Sequence, residues 1–264
     1  MGENSKIEWT MHTKNLWWGC IEVHDGCDNC YARIWSNRFN DNLWGKGSNR
    51  KETKTWAKDL IKYNKKAKEA GEIHRVFVGS MMDIFEKTMP LINHNGENLP
   101  YNTNDIRKKL FEEIVPITPN LMYLFLTKRP SNINKYIPVS WKKSPPINVM
   151  FGTSPVNQET ANKLIPQLLQ VKGKKFLSVE PMLGGITFDA SWIDNSRYFD
   201  LVNGTIDWII VGGESGNSRR PFNPDWARNI REQCKASGTP FFMKQIDKVI
   251  PIPKDLLIRE FNEY

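Results

Sequence analysis

The chain has no apolar stretch long enough to cross a membrane, and none at its start resembles a signal peptide. A cytoplasmic, reducing setting with no membrane partner is expected. Cysteine is scarce, four in 264 residues, so a disulfide framework is excluded as the source of stability. No low-complexity tract and no linker rich in Gly, Pro and Ser divides the chain. One domain over residues 1–264 follows, long enough to bury a core without staples. No motif that reads nucleic-acid bases appears either.

Positive charge is in modest excess: 37 Lys and Arg against 29 Asp and Glu, a formal net charge of +8. That permits a polyanionic partner such as nucleic acid without requiring one. The excess is concentrated between Arg50 and Arg75, where Lys51, Lys54, Lys58, Lys62, Lys65, Lys66 and Lys68 outnumber Glu52, Asp59, Glu69 and Glu72. The plain reading of such a run is a solvated helix face. Tryptophan is frequent at ten residues, and most belong in or beside the core.

Short β-branched or aromatic runs recur, each ending in polar or glycine residues. They are Arg75-Val76-Phe77-Val78-Gly79-Ser80, Met122-Tyr123-Leu124-Phe125-Leu126-Thr127-Lys128-Arg129 and Asn148-Val149-Met150-Phe151-Gly152-Thr153-Ser154. Lys175-Phe176-Leu177-Ser178-Val179-Glu180 and Asp207-Trp208-Ile209-Ile210-Val211-Gly212-Gly213-Glu214-Ser215 follow, with Phe241-Phe242-Met243 as one more. Continuous apolar runs of this length predict strands buried on both faces of a parallel sheet. Asn15-Leu16-Trp17-Trp18-Gly19 is expected as the first strand. Helical spacing lies between the runs: Trp56, Leu60, Tyr63 and Ala67; Ile106, Leu110 and Ile114; Ala161, Leu164, Ile165, Leu168 and Leu169. In the last helix Asn223 caps, Pro224 opens, Trp226, Ile230 and Cys234 share a face, and Gly238 stops it. The expected fold is α/β, a partial or near-complete (β/α) barrel of six to seven parallel strands. An open doubly wound sheet is the alternative. The barrel is preferred because every strand ends in chemistry-bearing residues.

Three cysteines fall together in Cys20-Ile21-Glu22-Val23-His24-Asp25-Gly26-Cys27-Asp28-Asn29-Cys30, a C-x6-C-x2-C spacing. Three thiolates on one loop suit a [4Fe–4S] cluster with one iron left open. Gly19 and Gly26 would let the backbone wrap closely around it. Zinc is the competing ligand, with His24 as the fourth donor. Cys234, on an apolar helix face, reads as a small buried hydrophobe.

Further motifs run the length of the chain. They include Lys6-Ile7-Glu8-Trp9-Thr10, Ser80-Met81-x-Asp83-x-Phe85, Leu126-Thr127-Lys128-Arg129-Pro130, Asn157-Gln158-Glu159-Thr160, Ser178-Val179-Glu180-Pro181, Val211-Gly212-Gly213-Glu214-Ser215-Gly216 and Phe241-Phe242-Met243-Lys244-Gln245. In this order, with the cysteines, they resemble a family of phage and bacterial proteins of radical-SAM type with a three-cysteine motif. The resemblance implies a radical-SAM barrel, a [4Fe–4S] cluster on Cys20, Cys27 and Cys30, S-adenosylmethionine on the open iron, and an electron donor that reduces the cluster. The wider radical-SAM pattern has C-x3-C-x2-C with an aromatic residue before the third cysteine. Here the first gap is six, that position is Asn29, and Tyr31 follows Cys30.

Roles for the strand ends follow as expectations. Gly212, Gly213, Glu214 and Ser215 are placed at the methionine end of the cofactor, the glycines allowing close approach. Glu180 and Ser154 are candidates for hydrogen bonds to the cofactor, with a salt bridge and a helix cap as their plain alternatives. Asp83, Lys128 and Arg129 are the candidate catalytic residues. Arg grips phosphate or carboxylate bidentately, but an Arg129 ion pair with Asp83 or Glu180 is the plain reading. Arg219, Arg220 and Lys244 add charge to the same rim. The expected activity is radical-SAM modification of a nucleic-acid base or nucleotide. A peptide or small-metabolite substrate and a non-enzymatic zinc- or cluster-bearing interaction module are the alternatives.

Overall fold

Runs of β-branched and aromatic residues leave no face fit for water, so the strands stack side by side with helices outside. The computed structural model describes residues 2–39, 42–193 and 204–262. In chain order the strands are β1 (His12–Lys14), β2 (Trp17–Trp18), β3 (Arg50–Glu52), β4 (His74–Val78), β5 (Pro90–Ile92), β6 (Asn98–Asn102), β7 (Leu121–Thr127), β8 (Val149–Thr153), β9 (Lys174–Val179), β10 (Trp208–Gly212) and β11 (Phe241–Gln245). The helices are α1 (Tyr31–Asn37), α2 (Trp56–Ala70), α3 (Thr103–Lys109), α4 (Val115–Ile117), α5 (Ile133–Tyr136), α6 (Gln158–Leu169), α7 (Ala190–Ile193) and α8 (Pro224–Ser237). None of the described helices is long and apolar enough to cross a membrane.

Seven strands form one sheet in the order β1-β4-β7-β8-β9-β10-β11, and every neighbouring pair is parallel. The order follows the chain, as successive right-handed crossovers dictate. Edge strands β1 and β11 do not pair with each other, so the sheet is a half-barrel. Its curvature is set from inside. The Trp9 indole lies 4.8 Å from Phe77 on β4 and 6.4 Å from Trp208 on β10 (ring centroids). In a flat sheet those strands would stand about 19 Å apart, four steps of about 4.8 Å. One indole reaches both only because the sheet curls around it.

The open side between β1 and β11 is filled by both ends of the chain. The segment 258–262 runs beside β11: Met243 N donates to Ile258 O at 2.9 Å and Glu260 N to Phe241 O at 3.0 Å. Phe261 then packs 5.8 Å from Trp208 and beneath the Arg75 guanidinium. The arm 2–7 lies along β1, where Thr13 N donates to Gly2 O at 3.0 Å.

The helices form where the apolar spacing places them. Trp56, Leu60, Tyr63 and Ala67 are the buried face of α2, and its lysines point outward. The Asn223 side chain caps α8 by accepting from Asp225 N, and Gly238 ends it at φ 72°. Cys234 is buried on the inner face of α8.

Two features differ from expectation. The first barrel strand is His12–Lys14, ahead of the tryptophan pair. Trp17–Trp18 instead pairs antiparallel with Arg50–Glu52 in a second sheet, β2-β3-β5-β6. Arg50, which opens the basic run, is wholly buried and grips Glu86 through two nitrogens at 2.9 and 2.7 Å. Its NH1 nitrogen donates to Leu43 O and Ser48 O. The pair fixes the segment that covers the entrance to the cysteine loop.

His12 carries a pH dependence. It stacks on Tyr63 at 4.3 Å, and its Nε2 lies 3.0 Å from His74 Nδ1. Burial, then the neighbouring His74, lowers its pKa to about 4, with Glu3 and Lys66 as the other charged groups acting on it. The unfolded chain takes up this proton below about 6.5, the folded chain only near 4. Stability is therefore full above 6.5 and falls as the pH drops through that window. Between pH 7 and 5 the His12 share is about 2 kcal/mol. Denaturant unfolding of the parent and His12→Phe at both pH values checks this. The variant should lose that part of the slope, and an unchanged slope removes His12 as its source.

Candidate active site

Strand alternation decides which side chains reach the open end of the half-barrel. Phe176 packs inward from β9, so Ser178 and then Glu180 follow on the same face. By the same count Lys244 follows Phe242 in β11. With the cysteine loop and the arm 2–7 they enclose a cavity of about 510 Å³, the size of a small-molecule site. Cys20, Cys27, Cys30, Asp83, Lys128, Arg129, Ser154, Glu180, Gly213, Glu214, Ser215 and Lys244 line it, whereas Gly212, His24, Arg219 and Arg220 do not.

The cysteine loop leaves β2 at Gly19, whose φ is +111°. A Cβ there would sit 2.3 Å from Leu43 O, and one at Gly26 would sit 2.7 Å from Val156 Cγ1. Both glycines therefore allow a close approach of the protein's own chain. Gly19 N donates to Met81 O at 3.1 Å, and Cys20 O accepts from Gly45 N at 3.0 Å. A single 3-10 turn, Asp25–Cys27, precedes Cys30, which opens α1.

Two arginines fasten this loop. Arg129 donates to Asp83 Oδ2 at 2.6 Å, and its other terminal nitrogen donates to Ile21 O. Its NH1 nitrogen lies 3.8 Å from Cys20 Sγ. Asp83 is held in turn by Thr127 Oγ1 at 2.7 Å and Phe85 N at 2.9 Å. Burial works against the Arg129 charge, but Asp83, Cys20 and Glu86 outweigh it and hold the guanidinium above its ordinary pKa. Burial, with Asp83 and Glu86 adding to it, pushes the Cys20 thiol up to about 12 against the pull of Arg129.

Arg220 fastens the other end. It donates to Glu214 Oε1 at 2.5 Å, to Asp25 O at 2.8 Å and to Asp28 Oδ2 at 3.2 Å. Asn29 Nδ2 adds bonds to Glu214 Oε2 at 3.0 Å and Ser218 O at 2.7 Å. Burial opposes the Glu214 charge, but Arg220 and Asn29 outweigh it and lower its pKa. Glu214 is thus a salt-bridged anchor on the cavity wall.

The basic rim is largely neutralised. Arg219 pairs with Asp247 at 2.6 Å and Lys244 with Glu180 at 2.9 Å. Lys6, Lys128 and Lys248 line the cavity with no ion pair among the described residues. Gly212 turns its bare face to Glu180, where a Cβ would meet Oε1 at 2.7 Å; at Gly213 the space belongs to Ile246 O. Ser154 Oγ is buried without a hydrogen-bond partner and lies on the cavity wall. His24 Nδ1 accepts from Gly26 N at 3.1 Å, and His24 is not a lining residue. Among the described residues no three His, Cys, Asp or Glu side chains converge as the ligands of one metal ion. Trp9 and Thr13 also line the cavity. Trp9 is singled out in the sequence only as part of the Lys6–Thr10 motif, and Thr13 belongs to none of the motifs.

Removing Arg129 should leave Asp83 buried beside no counter-charge. Arg129→Ala is expected to lower stability by about 3 kcal/mol, with part recovered in Arg129→Ala/Asp83→Asn. The loosened loop should let a thiol reagent reach Cys20 in the folded chain. Denaturant unfolding and timed alkylation check both. Parent-like behaviour in both would show that the clamp does not hold the loop.

A profile of DUF5131, described as a protein of unknown function, matches residues 4–255. No curated protein and no solved structure matches the chain. The match takes in the half-barrel, the cysteine loop and the cavity wall apart from Gly2 and Glu3, and the chain belongs to the DUF5131 family.

Proposed function

We propose that this protein is a radical-SAM-type enzyme that acts on a nucleic-acid base or nucleotide. The observation that carries the reading is the meeting of three thiols and a strand-end polar wall on one cavity. Cys20, Cys27 and Cys30 open onto the same space of about 510 Å³ as Ser154 and Glu180. The donor set fits an iron–sulfur cluster: three soft sulfurs from one loop border one cavity. The unpartnered Ser154 Oγ fits a ligand that brings its own polar atom.

Cys20, Cys27 and Cys30 would hold the [4Fe–4S] cluster. Ser154, Glu180, Gly213, Glu214 and Ser215 would face S-adenosylmethionine. Bound there and reduced by an external electron donor, the pair supplies a 5′-deoxyadenosyl radical able to take hydrogen from an unactivated carbon. The chain's own part is positional. Arg129 and Arg220 fix the loop that bears the thiols, Asp83 and Glu214 hold those arginines, and Phe77, Leu126 and Met82 keep the inner wall dry. Unpaired Lys6, Lys128 and Lys248 favour a substrate with an anionic group, as a nucleotide has. The zinc arrangement has less support, because His24 is not among the residues that line the cavity and its Nδ1 already accepts from Gly26 N.

Anaerobic reconstitution with iron and sulfide should give a brown protein. Its reduction in the presence of S-adenosylmethionine should release 5′-deoxyadenosine. Cys20→Ala, Cys27→Ala or Cys30→Ala should each abolish release, whereas His24→Ala should keep the cluster. A colourless chain that holds zinc and loses it in His24→Ala would sink the reading.

A further inference from the structure

The motif Lys6-Ile7-Glu8-Trp9-Thr10 has no part in the chemistry so far, yet it borders the cavity. Three polar atoms on that side are buried and lack a hydrogen-bond partner: Trp9 Nε1, Thr13 Oγ1 and Gln245 Oε1. Trp9, Thr13 and Gln245 all line the cavity. Trp9 and Thr13 are neighbours across Phe77, which Trp9 touches at 4.8 Å and which Thr13 faces in the β1–β4 register. Gln245 cannot turn to satisfy itself, because its Nε2 already donates to Gly213 O at 2.9 Å. A buried polar atom left unpaired costs stability. Three bordering one cavity are explained by a ligand that pairs them.

Their chemistry is mixed. The indole N–H donates only, the amide oxygen accepts only, and the hydroxyl does either. A ligand edge with adjacent donors and acceptors answers that set. The same cavity presents aromatic surface from Phe77, Tyr31 and Trp44, and amines from Lys6, Lys128 and Lys248. Tyr31 is fixed by its bond to Ser80 O at 2.7 Å, and Trp44 sits between residues whose carbonyls Arg50 holds. A peptide would match the donor and acceptor atoms, but it has no use for both the aromatic surface and the amines. A base bearing a phosphorylated sugar uses all three.

We propose that this side of the cavity seats the base of a nucleotide unit, with Trp9 Nε1, Thr13 Oγ1 and Gln245 Oε1 pairing its edge and the three lysines taking its phosphate. The proposal rests on the nucleotide half of the functional reading and not on its radical half. Nothing in it requires the cluster.

The test is equilibrium binding to the full chain as purified. The probes are the four nucleoside monophosphates, a short single-stranded oligonucleotide, the matching duplex and an acidic peptide. A monophosphate or the single strand should saturate, more weakly as salt rises. Saturation by the monophosphate marks a free nucleotide as substrate, and saturation by the single strand alone marks a strand with an extruded base. Thr13→Val keeps shape and removes one polar hydrogen, whereas Trp9→Phe removes the indole N–H together with buried ring surface. Each should weaken binding about five- to tenfold, and Thr13→Val should do so with a melting temperature equal to the parent's or higher. A purely structural role for Thr13 would lower the melting temperature and leave affinity alone. No binding at millimolar probe, binding of duplex or peptide only, or unchanged affinity in both variants would overturn the proposal. Failure to release 5′-deoxyadenosine would overturn the radical reading and leave this one standing.

Discussion

The site depends on two arginine–carboxylate pairs, Arg129–Asp83 and Arg220–Glu214. The loop 19–30 has almost no regular structure to hold its shape, only one 3-10 turn and a few backbone bonds. Its position is borrowed from the sheet. Asp83 follows β4, Arg129 follows β7, and Glu214 and Arg220 follow β10. The loop is therefore strung between strands on opposite sides of the half-barrel, pinned at Ile21 by one arginine and at Asp25 and Asp28 by the other. Charged groups this far from water persist only when every one is answered. Asp83 accordingly takes Thr127 and Phe85 as further donors, and Glu214 takes Asn29. The thiols stand where they do because of these two charge pairs.

The same pairs decide the electrostatics of the mouth. A formal charge of +8 suggests a basic site, but much of the rim's positive charge is cancelled locally. Four cations at strand ends have carboxylate partners within 3 Å. Part of the excess lies instead on the solvated lysines of α2. Inside the cavity Lys6, Lys128 and Lys248 have no ion pair among the described residues.

The strands and helices of the barrel were legible because each is announced locally. A buried parallel strand reads as a continuous apolar run, and Asn223, Pro224 and Gly238 mark the ends of α8 wherever that helix packs. The second sheet was not legible, since β2 and β3 are two and three residues long. No period can be read in so few positions, although the Asn95-Gly96 pair at the β5–β6 turn was an available signal. At the site, spacing placed the cysteines, and strand ends placed Asp83, Ser154 and Glu180. Partnership stayed hidden. Whether Arg129 meets Asp83 or Glu180 turns on distances across the mouth, which the order of residues does not encode. The glycines' neighbours stayed hidden for the same reason: a Cβ at Gly19, Gly26 or Gly213 would meet Leu43, Val156 or Ile246.

An open barrel has a consequence that a closed one lacks. With β1 and β11 unpaired, a gap remains that the sheet cannot fill with its own side chains, and the chain fills it with its two ends. The cavity wall is thus made in two ways. One side consists of strand ends and their ion pairs, where a shift in backbone would disturb the thiol loop as well. The other side consists of the arm and Trp9, tied to the sheet through Thr13, His12 and the Glu3 ion pairs to Lys62 and Lys66. Changes in the arm can alter what the cavity accepts without moving Arg129 or Arg220. That separation is what a scaffold needs if it is to keep one reactive centre while its substrate changes.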